Sequence, residues 1–417
     1  MHLSLPRSSA VVALLRTAVK IVLPVWVSLS VVTWTVRADS PSPGIDPGVA
    51  AKLNERITEL ERKAKRVDEL EAEVKALKAA AASAEAPSPV TAPEVYPKVR
   101  MDILTDLTYH VSNREQDFNT FALGDVDAVI TAQISEDASV LSDFVVASNH
   151  GGFAFEIERL ILQYRVNEYL NLQAGRFHTA IGYYNNVYHN GTYFQTATER
   201  PEIYLFEDGE GILPIHSNGI SVNGDIPSGT LRLHYVAEIA NGRNYTSDVE
   251  SFEIEDDNDF KALNFALSAR PEGVAGLQFG GSVYHDLLTP PGLPRTNQLI
   301  LSAYVVYKNT AIEWLNEYVF LRNKPQGGEA FDTSAVYTQI SKKFDKIRPY
   351  ARLQWRKSPV GDPVLALIGQ NVTVWGPTLG IRYDFTPMMA LKGEYQHSER
   401  SGESNLDEFT MQWTTRF

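Results

Sequence analysis

The chain has 417 residues, of which 44% are hydrophobic and 10% aromatic, with no cysteine and a formal net charge of −13. This acidity argues against nucleic-acid binding, because proteins that bind the phosphate backbone carry an excess of Lys and Arg. The lack of cysteine excludes disulfides and is compatible with either an envelope or a cytosolic compartment. After residue 40, no segment approaches the ~18 apolar residues of a membrane-spanning helix.

Residues 1–38 are predicted to be a secretory signal peptide. Arg7, Arg16 and Lys20 precede the apolar segment Ile21–Val36, and the small residue Ala38 marks the cleavage site. The alternative is an N-terminal membrane anchor, for which the apolar segment is short. The signal peptide places the mature protein in the cell envelope.

A flexible segment at residues 39–52 is followed by a predicted coiled coil at residues 53–82. Apolar residues there recur at steps of three and four, as in a heptad seam with one three-residue stammer. The seam consists of Leu53, Ile57, Leu60, Ala64, Val67, Leu70, Val74 and Leu77. The alternative is a single charged helix on the protein's own surface. A linker rich in Pro and Ala, residues 83–97, follows the helix and is expected to be extended.

Residues 98–417 alternate apolar and polar side chains, as transmembrane β-strands do. In the last segment Phe409, Met411, Trp413 and Phe417 alternate with polar residues, and the apolar aromatic is the final residue. The alternation is less regular in Phe121–Gln133, Ser139–Ala147 and Ser334–Lys343. The fold class predicted is all-β, a transmembrane antiparallel β-barrel of about 16 strands, with an N-terminal coiled-coil helix before it.

The connections between these segments favour a barrel over a soluble β-sandwich. Every second connection is short, such as Ser135–Asp137 and Asn309–Thr310, and the others are long and polar, such as Asn241–Asp259 and Ser358–Val372. Short turns on one side and long loops on the other are typical of outer-membrane barrels. An even number of strands places both ends of the barrel on the periplasmic side.

One connection, residues 176–218, is much longer than the others. It is the third outer loop, and it is aromatic as well as polar, with Tyr183, Tyr184, Tyr188 and Phe194. Long loops inside a domain are usually functional, and an aromatic loop needs a surface to pack against. We therefore expect this loop to fold into the lumen and narrow it.

The loop and its surroundings resemble a family of bacterial outer-membrane porins related to the phosphate-selective porins. The likeness is carried by Ala174–Tyr184, Tyr188–Thr192, Arg200–Glu202, Phe206–Asp208, Gly211–His216, Val236–Glu238 and Asn241–Arg243. The resemblance implies a trimeric sixteen-strand barrel with an inward-folded third loop. Phosphate-selective members use a ladder of lumen arginines and a lysine cluster. Here the third loop carries Glu199, Glu202, Glu207, Asp208 and Glu210 instead of lysines.

We hypothesise that the acidic third loop faces an arginine-bearing wall across a constriction, because such a field favours polar solutes. The candidate residues for the constriction or solute contact are Arg176, Tyr183, Tyr184, His189, Arg200, Glu202, Glu207, Asp208, Arg232, Arg348, Arg352 and Arg356. The alternative for the arginines is a set of lumen salt bridges. Those would involve Asp102, Asp106, Asp125, Asp127, Glu313 and Glu317. The alternative for the aromatic residues is packing of the loop against the wall.

No pattern in the sequence indicates catalysis, a metal or a cofactor. His178, His189 and His216 match no metal-ligand spacing, and Ser282 near His285 has no third partner. The sequence therefore predicts an outer-membrane porin and not an enzyme. Its expected partners are outer-membrane lipid, two further copies of the chain in a homotrimer, and small polar solutes or ions, with the coiled coil in the periplasm. The alternative is a plugged barrel that anchors the outer membrane to the cell wall.

Overall fold

The computed structural model describes residues 55–56, 58–67, 69–70, 72–75, 95–114, 119–149, 152–188, 191–207, 211–244 and 255–417. The chain divides into two units, Met1–Ala92 and Pro93–Phe417. The predicted signal peptide and most of the predicted linker lie outside the described residues.

The described residues between 55 and 75 are α-helical. Two ion pairs support the helix, each between residues about one helical turn apart. They are Lys63–Glu59 at 2.7 Å and Arg66–Glu69 at 3.1 Å. Leu60 and other described seam residues are about half exposed. Assembly of this helix into a coiled coil stays a prediction. Among the described residues, no helix has the length and apolar character needed to cross a membrane.

Within the described part of the chain, sixteen strands form a closed antiparallel barrel in which each strand pairs with its sequence neighbours and β1 pairs with β16. The strands are β1 Lys98–Ser112, β2 Thr120–Gln133, β3 Ala138–Asn149, β4 Gly152–Asn167, β5 Leu170–His178, β6 His216–Ile226, β7 Leu233–Asn241, β8 Lys261–Ala269, β9 Leu277–Leu288, β10 Thr296–Lys308, β11 Ile312–Pro325, β12 Phe331–Lys342, β13 Ile347–Lys357, β14 Thr373–Thr386, β15 Met389–Arg400 and β16 Leu406–Arg416.

The outer face of the barrel is apolar, and the inner face carries polar side chains together with the apolar ones that pack under the third loop. The predicted antiparallel barrel of about 16 strands is confirmed. In β16, Phe409, Met411 and Trp413 are 41–45% exposed on the outside, whereas Thr410 and Thr414 are buried on the inside. An apolar surface on every side of a closed barrel needs lipid as its solvent. Closure leaves no strand edge unpaired.

Two β-bulges explain why the alternation is irregular near the start of the barrel. The β1–β2 pairing shifts between Thr105 and Leu107, and the β3–β4 pairing shifts between Asp143 and Phe144. A bulge inserts one residue, so the side chains beyond it change faces relative to the simple period of two. The period-two pattern therefore fails locally although the strand continues.

The short connections share one end of the barrel, here called the short-turn rim. At this rim the alternation of apolar and polar residues over Thr230–Ala240 predicts one strand, but the strand starts later than the alternation does. Gly229–Leu231 forms a 3-10 turn, Arg232 adopts a left-handed φ of 49°, and β7 begins at Leu233. Arg232 is exposed in this turn, which separates it from the middle of the lumen.

Candidate functional site

The third loop, residues 179–215 between β5 and β6, packs against the inner wall of the barrel. Its described residues include the helical turns Tyr184–Val187 and Gly191–Phe194 and the 3-10 turn Glu202–Tyr204. The largest cluster of buried apolar residues joins loop residues to strand residues, for example Tyr184 and Tyr204 to Leu315. The loop thus supplies the barrel with an internal core.

Glu317 of β11 is the main attachment point of the loop. Its carboxylate accepts hydrogen bonds from the backbone N–H groups of Tyr183 at 2.6 Å and Tyr184 at 2.9 Å. It also accepts from the hydroxyls of Tyr204 at 2.6 Å and Tyr337 at 2.5 Å. Four donors match the four lone-pair positions of a carboxylate. The acid that the sequence offered as a salt-bridge partner is therefore surrounded by neutral donors.

A second carboxylate of the same strand holds the middle of the loop. Glu313 accepts hydrogen bonds from the Tyr188 hydroxyl at 2.6 Å and the Thr196 hydroxyl at 2.8 Å. Lys308 Nζ lies 3.4 Å from Oε2 of this carboxylate, the same oxygen that accepts from Tyr188. Glu313 and Glu317 lie four residues apart on one strand, so both point inward.

The wall arginines also bind the loop. Arg352 Nη1 donates to the Glu199 carbonyl at 2.8 Å, and Arg356 Nη2 donates to the Glu202 carboxylate at 3.0 Å. Both guanidinium groups are almost fully buried. The hypothesis placed the loop acids and the wall arginines on opposite sides of a constriction, whereas Glu202 and Arg356 are in direct contact.

Arg382 and Lys392 have the same role on β14 and β15. Arg382 donates to the carbonyls of Tyr193 at 2.6 Å and Gln195 at 2.9 Å. Lys392 donates to the Ala197 carbonyl at 2.9 Å. Lys392 was not among the candidate residues, although its place on the polar face of a strand was visible in the alternation.

The returning end of the loop is held by His216, the first residue of β6. Its ring lies 2.5 Å from the Glu158 carboxylate and 3.2 Å from that of Glu207. Burial alone would raise the pKa of Glu207, but the charge and hydrogen bonds of His216 outweigh it and lower that pKa to about 2. Glu207 is therefore a structural carboxylate.

Arg200 is buried within the loop itself. Its guanidinium lies over the Phe206 ring at 4.0 Å, and its Nε donates to the Tyr204 carbonyl at 2.5 Å. A buried arginine stacked on an aromatic ring fixes the shape of the loop. Arg200 therefore joins the candidate residues that the structure brings together in and around the loop, namely Tyr183, Tyr184, Glu202, Glu207, Arg352 and Arg356.

The remaining candidate residues lie elsewhere. Arg348 donates to the Ser341 hydroxyl at 3.0 Å, between β13 and β12. Arg176 faces Asn218 in the β5–β6 pairing, and Arg232 lies in the turn before β7. His189 and Asp208 lie outside the described residues.

Two cavities open at the short-turn rim. One, of about 870 Å³, lies along the inner wall of β2–β6 and is lined mainly by uncharged polar side chains. The other, of about 530 Å³, lies between the third loop and the turns that join β10–β11, β12–β13 and β14–β15. Five cationic side chains and three carboxylates line the second cavity in the described structure. They are Lys308, Lys343, Lys346, Arg348, Arg382, Glu313, Asp345 and Asp384.

No protein-family model matches the sequence, and no curated protein matches it. Solved structures do match the fold. An anion-selective porin from Comamonas acidovorans is 12% identical, with a TM-score of 0.57 over 77% of this chain and 100% of that chain. OmpF of Salmonella typhi, in complex with daunomycin, is 11% identical, with a TM-score of 0.58 over 78% of this chain and 100% of that chain.

The trimer form of OmpT, an outer membrane protein of Vibrio cholerae, is 12% identical. Its TM-score is 0.54 over 78% of this chain and 100% of that chain. At these identities the likeness shows the fold, a closed antiparallel barrel of the kind that bacterial porins adopt. The share of this chain that is covered corresponds in size to the barrel rather than to the whole chain.

Proposed function

We propose that this protein is an outer-membrane porin, a passive diffusion channel for small polar or charged solutes. The observation that carries the proposal is a closed barrel with an apolar outside, whose inward-folded loop is fixed to the wall by Glu317. The buried arginines and carboxylates around the loop cannot reorient, and such fixed charges set a field for passing solutes.

The short-turn rim faces the periplasm in this proposal, because outer-membrane barrels have their short turns there. The predicted signal peptide and coiled coil are consistent with this orientation. A homotrimer is supported by the heptad seam and by the trimer form of one structural neighbour. The sequence resemblance to relatives of the phosphate-selective porins supports charged solutes, but five loop carboxylates replace the lysine cluster of those porins.

A plugged structural barrel is the second candidate. It is favoured by the depth that the third loop reaches, since the Tyr193 hydroxyl donates to the Pro387 carbonyl at the short-turn rim. Such a barrel would anchor the outer membrane to the cell wall through the N-terminal helix and would pass no solute.

The two candidates are separated by recording from the purified full-length protein in a planar lipid bilayer. The porin gives discrete conductance steps, and the reversal potential across a salt gradient gives its ion preference. A protein that inserts into the bilayer, as shown by protection from protease, and yet gives no conductance is a plugged barrel.

A further inference from the structure

The larger cavity at the short-turn rim is lined by a continuous row of uncharged polar side chains. The row runs through the register of neighbouring strands, from Gln133 to Ser139, Gln163 and Gln173, and continues beyond the cavity to Ser221. A second row beside it pairs Asn171 with Asn223. We call these seven residues the amide ladder.

The ladder faces inward. Leu162 and Leu172, which flank Gln163 and Gln173 in sequence, are 57% and 40% exposed on the outside of the barrel. Successive side chains of a strand point to opposite faces, so the two amides point into the lumen. They therefore border the cavity of about 870 Å³ that these residues line.

Hydrogen bonds use part of the ladder's capacity, and Gln133 Nε2 donates to the carbonyls of Ser135 at 2.5 Å and Ala138 at 3.3 Å. Ser139 donates to Gln163 Oε1 at 3.0 Å, and Asn171 Nδ2 donates to the Asn223 carbonyl at 3.2 Å. Among the described residues, the side-chain amides of Gln173 and Asn223 form no hydrogen bond. Each amide offers two donors and one acceptor oxygen, so the wall presents donors and acceptors side by side.

The charges around this cavity are balanced. Lys98 and Arg165 are matched by Glu136 and Asp137, and Arg165 lies 4.0 Å from Asp137. An ion therefore gains little from the cavity, in contrast to the smaller cavity with its excess of cations. The size lies within the range of ~300–1,000 Å³ that is typical of small-molecule sites.

We propose that the amide ladder is a docking site for hydroxyl-rich neutral solutes, that is, mono- or disaccharides, at the short-turn mouth. Each sugar hydroxyl is both a donor and an acceptor, which is the pattern that neighbouring amides complement. The ring of Tyr96 lines the same cavity, with the Lys98 ammonium 5.3 Å from the ring centroid. Sugar binding at this site does not depend on the proposed channel function. Only the conclusion that the bound sugar is a transported solute rests on it.

The test is calorimetric titration of the full-length protein with maltose, in a polyoxyethylene detergent, which carries no sugar headgroup. Gln173→Met keeps the length of the side chain and removes its donors and acceptor. We expect it to weaken maltose binding by about tenfold, the effect of losing one or two hydrogen bonds. Gln278→Met is the matched control, because Gln278 lies on the inner wall outside this cavity and donates to Tyr304.

Unchanged maltose binding by Gln173→Met, or equal weakening by Gln278→Met, would overturn the site. So would wild-type protein that binds gluconate but not maltose, because that result assigns the cavity to anions. Migration of unheated and heated samples on a gel shows whether each variant folds. A protein that binds maltose but does not conduct in a bilayer would retain the site and refute the porin, whereas conduction without binding would refute the site alone.

Discussion

The hydroxyl of Tyr204, in the third loop, donates a 2.6 Å hydrogen bond to the Glu317 carboxylate on the wall of β11. This contact crosses 113 positions of sequence and joins the loop to β11, the strand that also carries Glu313. A loop held in this way narrows the lumen permanently, because moving it would leave a buried carboxylate without its donors.

Replacing Glu317 by Gln should loosen the loop. An amide supplies only one oxygen, so two of the four donors lose their acceptor, at a cost of ~1–3 kcal/mol for each buried group left unpaired. We expect a barrel that still forms but a channel whose single-channel current becomes noisy. Glu329→Gln, on an exposed outer loop, should record like the wild type. Equally quiet traces from both variants would show that Glu317 does not hold the loop.

The backbone conformation and the close contacts at Gly182 should tolerate only glycine. It has a φ of 73°, and a Cβ there would collide with the Tyr204 hydroxyl and lie 2.5 Å from a Glu317 oxygen. Gly182→Ala should therefore disrupt the loop attachment and increase both conductance and current noise. Gly327→Ala is the control, since Gly327 has a φ of 75° with open space around it. The control should cost only the ~1 kcal/mol of a left-handed alanine and leave the recorded current unchanged.

The cationic cavity at the short-turn rim should favour anions. Among the described residues, Lys346 and Arg348 form no ion pair, whereas Lys343 and Arg382 share Asp384 at 2.9 Å and 2.7 Å. The double variant Lys346→Gln with Arg348→Gln should shift the reversal potential in a salt gradient toward cation preference. Lys342→Gln removes a charge near Phe344, outside the cavity, and should not shift it. The same shift in both would mean that overall charge, and not this cavity, sets the preference.

The Glu207–His216 pair predicts a dependence on pH. The pKa of Glu207 is lowered from 4.5 to about 2 in the folded protein, chiefly because His216 outweighs the effect of burial. A lowered pKa stabilises the folded loop fully above about pH 4.5, and this contribution is lost as the pH falls toward 2. Current noise should therefore stay constant down to about pH 4.5 and rise as the pH falls from there toward 2. Glu207→Gln should already be noisy at pH 6 and change less on acidification, and identical pH profiles would contradict the assignment.

The N-terminal helix should stabilise a trimer if its seam is an interface. Leu60 and Val67 belong to the seam and are 59% and 53% exposed in the single chain. Replacing both by Asn should lower the temperature at which the oligomer dissociates on a native gel, because apolar seam contacts drive coiled coils. Arg62→Asn changes a residue outside the seam and should have no effect. An unchanged dissociation temperature in the double variant would favour the single surface helix.

Much of the fold could be predicted from the sequence because a membrane barrel imposes a period of two on each strand. The alternation alone shows that Phe409, Met411 and Trp413 point outward, without knowledge of the neighbouring strands. The lengths of the connections distinguish the short-turn rim from the rim with the long loops. The bulges at Thr105–Leu107 and Asp143–Phe144 could not be predicted, since one inserted residue looks like a failure of the pattern. The left-handed turn at Arg232 could not be predicted either, because the alternation of apolar and polar residues continues through it.

The sequence by itself determined that the chain is a barrel with an aromatic third loop and inward-facing charges, because local alternation and loop length depend only on neighbours in the chain. Only the tertiary structure decided what those charges contact. Arg352 and Arg356 bind the loop, and Glu317 receives four neutral donors. The contacting residues lie far apart in the sequence and come together only when the barrel closes. The local pattern of a strand shows which side chains point inward but not which of them will be in contact.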